Sequence, residues 1–171
     1  MKLHIFDFDG TLVDTDAVWD GLAESCLSAL GVKPNPLDIE TIAEMSLAES
    51  AAYFARKYGI ATEDFRRILR RKLRAAYASA KPIPGNMANA AALHKNGAYC
   101  CVATASERAL VMETLQRLGA AEYFAFVTDC DEIGCAKTNP AFYRKILERT
   151  GFKEAILYDS AFPKFAEDLH L

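Results

Sequence analysis

The chain has 171 residues, enough for one domain or for one domain with a small insertion. With 51% apolar residues it can build a sizeable core, and its net charge of −3 leaves no electrostatic footprint for nucleic acid. No apolar run is long enough to cross a bilayer, and Asp7 comes too early for the apolar core of a signal peptide. A soluble, cytoplasmic, monomeric protein is therefore expected, with neither nucleic acid nor membrane as a partner.

Residues 2 to 8 read as a buried strand that gives out into Asp7-Phe8-Asp9-Gly10-Thr11. Two carboxylates two residues apart project to the same side if the backbone is still extended. That costs energy unless a cation or a shared proton offsets it. The segment therefore asks for a metal, or for an acid and a base side by side. Gly10 permits a sharp turn. An Asp-Gly hairpin is the alternative, but the next strand-like run does not follow directly.

From Asp16 the spacing becomes helical: Val18, Trp19, Leu22, Cys26, Leu27 and Leu30 recur at three- and four-residue steps up to Gly31. Pro34 and Pro36 mark a loop. Helices are predicted over 37–45 and 47–58, the second closed by Gly59. Thr62 is the expected N-cap of a helix to about Ala80, burying Phe65, Ile68, Leu69, Leu73 and Tyr77. The cluster Arg66, Arg67, Arg70, Arg71, Lys72 and Arg74 on that helix reads as a solvated face.

Lys81-Pro82-Ile83-Pro84-Gly85 punctuates the chain, and helix then alternates with strand. Helices are predicted over 86–95, from a Ser106 cap to Leu118, and from an Asn139 cap with Pro140 at the first position. Strands are predicted over 98–103, 124–128 and 155–158. This pattern predicts an α/β fold: a Rossmann-like parallel sheet covered on both faces, built from 1–15 and 81–171, with 16–80 inserted as a helical cap. Five cysteines with no C-x-x-C pair fit buried thiols in a reducing compartment, and Cys130 and Cys135 lack further ligands for a metal.

In an open parallel sheet, ligands bind beyond the carboxyl ends of the strands. Asp7 and Asp9 stand at the first such end, Thr104-Ala105-Ser106 at the second and Asp159-Ser160 at the last. Lys137 lies in the loop before the helix at Pro140. Acids, a hydroxyl and a cation on one edge suit phosphate chemistry. Carboxylates hold a hard cation such as Mg²⁺. Lys137 and the Thr104 hydroxyl could hold phosphoryl oxygens. A neutralised Asp can attack phosphorus while a second Asp handles the proton.

These segments resemble the haloacid dehalogenase superfamily. Asp7-Phe8-Asp9-Gly10-Thr11-Leu12-Val13-Asp14-Thr15 is similar to its first motif and Val102-Ala103-Thr104-Ala105-Ser106 to its second. Ala136-Lys137-Thr138-Asn139-Pro140-Ala141-Phe142-Tyr143 is similar to the third, and Ile156-Leu157-Tyr158-Asp159-Ser160 to the fourth. The pattern is nearest to small capped phosphatases and β-phosphoglucomutases. The resemblance implies Asp7 as nucleophile and metal ligand. It implies Asp9 as general acid/base, with its carbonyl on the metal, and Asp159 as the remaining Mg²⁺ ligand. Thr104 and Lys137 would hold the phosphoryl group, with backbone N–H groups near Gly10 and Ala105 completing the anion site. Cap residues near Glu44, Met45, Ser46 and Lys72 are candidates to face the substrate, a small phosphorylated metabolite.

Three departures stand out. Tyr158 replaces an acid common before Asp159, which predicts weak Mg²⁺ binding. Thr138 stands where proline is common, which loosens the loop. Only residues 160–171 follow Asp159, which predicts a shortened sheet edge, and Asp168 among them reads as a surface residue. A Mg²⁺-dependent phosphatase is the leading reading. A phosphomutase shares every core residue, and an impaired, non-catalytic binding protein is the alternative of another class.

Overall fold

The computed structural model describes residues 1–43 and 45–159. Expectations for Glu44, Ser160 and Asp168, and for the sheet edge beyond Asp159, lie outside the described residues. The chain divides into two compact units, one of Met1–Asp14 with the chain from Ala80 onward, the other Thr15–Ser79.

The first unit opens with β1 (Leu3–Phe6), shorter than the expected 2–8, and β2 (Val13–Asp14). The second unit is helical. Where one helix was expected from Asp16, there are two, α1 (Asp16–Trp19) and α2 (Leu22–Ala29). The chain turns between them at Gly21, whose φ of 68° only glycine adopts cheaply. The apolar spacing runs straight through that break. Next comes α3 (Pro36–Ile42), whose first free N–H, that of Leu37, is taken by the Asn35 side chain. In α4 (Leu47–Tyr58), Ser46 and Glu49 form a reciprocal capping box, and Gly59 closes the end at φ 66°. Ser46, a candidate for facing substrate, is thus buried as a helix cap. α5 (Thr62–Tyr77) starts at Thr62 itself, with Ala61 rather than Thr62 in the N-cap position. It buries the five predicted apolar residues, and its Phe65 ring meets Phe54 of α4 at 5.2 Å.

Back in the first unit, β3 (Lys81–Pro82) pairs antiparallel with β2, so the expected punctuator is also a short ladder. α6 (Pro84–Lys95) follows, with Pro84 pre-set for its first turn. Then come β4 (Tyr99–Thr104), α7 (Arg108–Arg117), β5 (Phe126–Asp129), α8 (Cys130–Ile133), α9 (Ala141–Thr150) and β6 (Ala155–Tyr158). Ser106 does not cap α7, whose N-cap is Glu107. Asn139 accepts the Ala141 N–H at 2.9 Å, but Pro140 rather than Asn139 is the N-cap of α9, one place before the first helical position expected for the proline.

Among the described residues four longer strands form a parallel sheet in the order β5-β4-β1-β6. β1 is central, with Phe6 level with Val102 on one side and Tyr158 on the other. From β1 the chain steps out to β4 and β5 and then crosses back to β6 on the other side, which makes the ends of β4, β1 and β6 a switch point. One sheet face carries Leu3, Ile5, Cys101, Ala103, Ala155 and Leu157, buried against Ile133 of α8 and Phe142, Tyr143, Ile146 and Leu147 of α9. The opposite face carries a ring stack, Phe6 on Tyr158 at 4.2 Å and Phe124 edge-on to Phe6 at 5.7 Å.

Candidate active site

Side chains alternate across a sheet with a period of two. The series Leu3, Ile5 therefore leads to Asp7, and Ala155, Leu157 leads to Asp159, on the face that packs against α9. The ladder continues that far, since the Asp7 N–H donates to the Tyr158 carbonyl at 2.8 Å. Lys137 enters from the α8–α9 turn. Its Nζ lies 2.5 Å from Asp7 Oδ1 and 2.7 Å from Asp159 Oδ2. One ammonium thus joins the ends of two neighbouring strands, and Lys137 is 5% exposed.

Burial alone would strip the charge from that lysine, but the Asp7 and Asp159 carboxylates outweigh it and hold the ammonium above its usual range. Burial likewise pushes Asp7 up, to about 6; Lys137 opposes this, and Asp159 and Asp9 add to it. The buried charges are therefore affordable only as a set. Tyr143, a turn into α9, turns its hydroxyl to Asp159 Oδ2 at 3.4 Å.

Asp9 makes a separate arrangement. Its Oδ2 accepts the hydroxyl of Ser106 at 2.8 Å. Ser106 is itself held by Thr104, whose Oγ1 accepts the Ser106 N–H at 3.0 Å. Thr104 and Ser106 are buried, while Ala105 between them is exposed. Gly10, at φ 66°, gives its N–H to the Val13 carbonyl, so that donor closes the turn rather than facing an anion.

Tyr158 lies elsewhere. Its ring stacks on Phe6 on the opposite sheet face, and its hydroxyl meets His4 Nδ1 at 3.0 Å, back along the strand from Asp7. From there its hydroxyl adds no ligand beside Asp7 and Asp159, in keeping with the weak Mg²⁺ binding expected. Ser106, expected as a helix cap, and Tyr143, on the third motif, both reach the site's carboxylates, a part that neither residue's sequence position marks.

Among the described residues no three His, Cys, Asp or Glu side chains gather as a metal cluster. Mg²⁺ does not need one, since it is bound through one or two carboxylates with waters and phosphate oxygens. Asp7 and Asp159, already converging on one cation, fit that requirement.

A sequence profile of the family described as haloacid dehalogenase-like hydrolase matches residues 4–158. No curated protein sequence matches the chain. Solved structures share its fold. CbbY from Rhodobacter sphaeroides in complex with phosphate is 23% identical with a TM-score of 0.73, covering 92% of this chain and 76% of that one. The same protein in complex with xylulose-(1,5)-bisphosphate is 22% identical with a TM-score of 0.74, over 92% and 76% of the two chains. A predicted phosphatase from Clostridium acetobutylicum is 19% identical with a TM-score of 0.66, over 96% of this chain and 81% of its own.

Proposed function

The chain belongs to the haloacid dehalogenase-like hydrolases, and from that premise we propose that it is a Mg²⁺-dependent phosphatase acting on a small phosphomonoester. The observation that carries this reading is the Lys137 ammonium set between Asp7 and Asp159 at the switch point of the sheet. It keeps a buried carboxylate ionised, which a nucleophile requires, and it supplies positive charge where a phosphoryl group would sit. That CbbY is found with phosphate and with a sugar bisphosphate supports a small phosphate ester as the ligand class.

In the first half-reaction an Asp7 oxygen attacks phosphorus, and the bond from phosphorus to the leaving oxygen breaks. Asp9 gives its carboxyl proton to that oxygen, so an alcohol departs rather than an alkoxide. In the second, water attacks the aspartyl phosphate, Asp9 takes the water's proton, and the bond to Asp7 breaks to release phosphate. Lys137 offsets charge on the phosphoryl oxygens, and the Thr104 hydroxyl lies at the adjoining strand end. Asp7, Asp159 and the Asp9 carbonyl would hold Mg²⁺, which when bound neutralises phosphate charge. Five cysteines without a disulfide are in keeping with a cytoplasmic enzyme.

The test is phosphate release from a panel of small phosphorylated metabolites with Mg²⁺ present. Turnover is expected for at least one sugar or short-chain phosphate. Asp7→Asn should reduce it to background while the thermal melt stays cooperative. An active, folded Asp7→Asn protein would overturn the mechanism.

A further inference from the structure

Serine just before a helix is usually a cap, with its hydroxyl turned to the helix N–H groups. Ser106 is not one. α7 begins at Arg108 behind Glu107, and the Ser106 hydroxyl crosses to β1's end to donate to Asp9 Oδ2 at 2.8 Å. Ser106 is 1% exposed, and its N–H is fastened to the fully buried Thr104 hydroxyl oxygen. The donor is therefore fixed before any substrate arrives.

We infer that Ser106 is a positioning residue for the proton transfer by Asp9, setting which carboxyl oxygen carries the proton and which way it faces. This rests on the acid/base role of Asp9 proposed above. A hydroxyl that donates to Oδ2 makes that oxygen an acceptor, so the transferable proton belongs on Oδ1. It also stops the carboxyl group from rotating between equivalent settings. The proton then starts in one place, and the leaving oxygen meets a donor rather than a lone pair. Ser106 touches neither the reacting phosphorus nor the leaving group in this scheme; it acts through Asp9.

The test compares an alkyl phosphate from the active panel, whose leaving oxygen needs a proton, with 4-nitrophenyl phosphate, whose leaving oxygen does not. In Ser106→Ala, kcat/KM, which reports the first half-reaction and not the later hydrolysis that Asp9 also serves, should fall about tenfold more for the alkyl phosphate than for the nitrophenyl ester. In an Asp9→Asn background, adding Ser106→Ala should change that ratio by less than about twofold, because the group being positioned is gone. Equal losses on the two substrates, or an undiminished ratio effect in the Asp9→Asn background, would overturn the inference. If Ser106→Ala does not fold, Ser106→Cys keeps the volume with a far weaker donor and is held to the same outcomes. The two readings fail differently. Asp9→Asn with no leaving-group dependence removes the acid role itself. Asp9→Asn with that dependence and Ser106→Ala without it removes only the part given to Ser106.

Discussion

Lys137 holds two acids in a place where neither would be stable alone. Asp7 and Lys137 are 7% and 5% exposed. Lys137→Met keeps most of the side-chain volume but removes the charge, leaving two carboxylates buried side by side. Breaking a buried pair from one side costs about 3–5 kcal/mol. The sign of its pH dependence follows from Asp7. Burial raises its folded pKa above the unfolded value, with Lys137 as the main opposing influence. Without Lys137 that pKa rises further. A carboxyl group raised in the fold weakens the fold as pH climbs past its unfolded value and ceases to do so once protonated. Urea unfolding with a chelator present should therefore show the larger loss near pH 8 and a smaller one near pH 5. Losses of the same size at both would mean that the ion pair is not their source.

Asp38 gives the element scale its clearest case. It is 2% exposed, yet it sits in the first turn of α3, where an acid usually faces solvent. Tyr58 donates to it at 2.5 Å and Tyr53 at 2.7 Å, and Lys57 pairs with it at 2.9 Å, so one carboxylate ties α3 to α4. Those donors, led by Tyr58, pull its pKa down to about 2. A carboxylate lowered in the fold contributes stability above its unfolded pKa, near 3.9, and loses it as pH falls through the folded value. Asp38→Asn should lower stability at neutral pH. Its remaining stability should decline less steeply than that of the natural protein between about pH 4 and pH 2. Urea midpoints across that range decide it, and parallel declines would refute the assignment. Nothing in the sequence marks Asp38, because its partners lie on the following helix. By contrast α4 and β6 were legible to the residue: Gly59 closes the one, and a short apolar run between polar neighbours delimits the other. The placement of Asp7, Lys137 and Asp159 at one sheet edge could be read from the rule that ligands meet the carboxyl ends of parallel strands. The Ser106–Asp9 bond could not, because a serine ahead of a helix has a local use that sequence alone cannot set aside. Tyr143 was hidden in the same way, since an aromatic on the buried stripe of a helix reads as core.

At the scale of the whole molecule, every strand of the parallel sheet among the described residues lies outside the segment that interrupts it. The helical unit leaves the chain after Asp14 and returns before Lys81, and these two residues face each other across the β2–β3 ladder. Directly opposed residues of antiparallel strands lie only about 4.5–5.5 Å apart, the span of a two-residue hairpin turn. β1 finds both neighbours, β4 and β6, in the first unit. That unit also holds the core cluster of Leu3, Ile5, Phe142, Tyr143, Ile146 and Leu147. Replacing residues 15–80 with Asn-Gly, whose preference for positive φ suits such a turn, should therefore leave a chain that still folds. The Arg117 side chain, which bonds the Ala80 carbonyl at 2.6 Å, would find a backbone carbonyl at the same point of the new turn. The shortened protein should melt cooperatively, and its amide hydrogens in β1 and β4 should be protected from exchange. Its Asp7–Lys137–Asp159 cluster should survive, so that Lys137→Met destabilises it by the same few kcal/mol as the full chain. A non-cooperative melt, or a Lys137→Met change without effect there, would show that the sheet depends on the inserted helices after all.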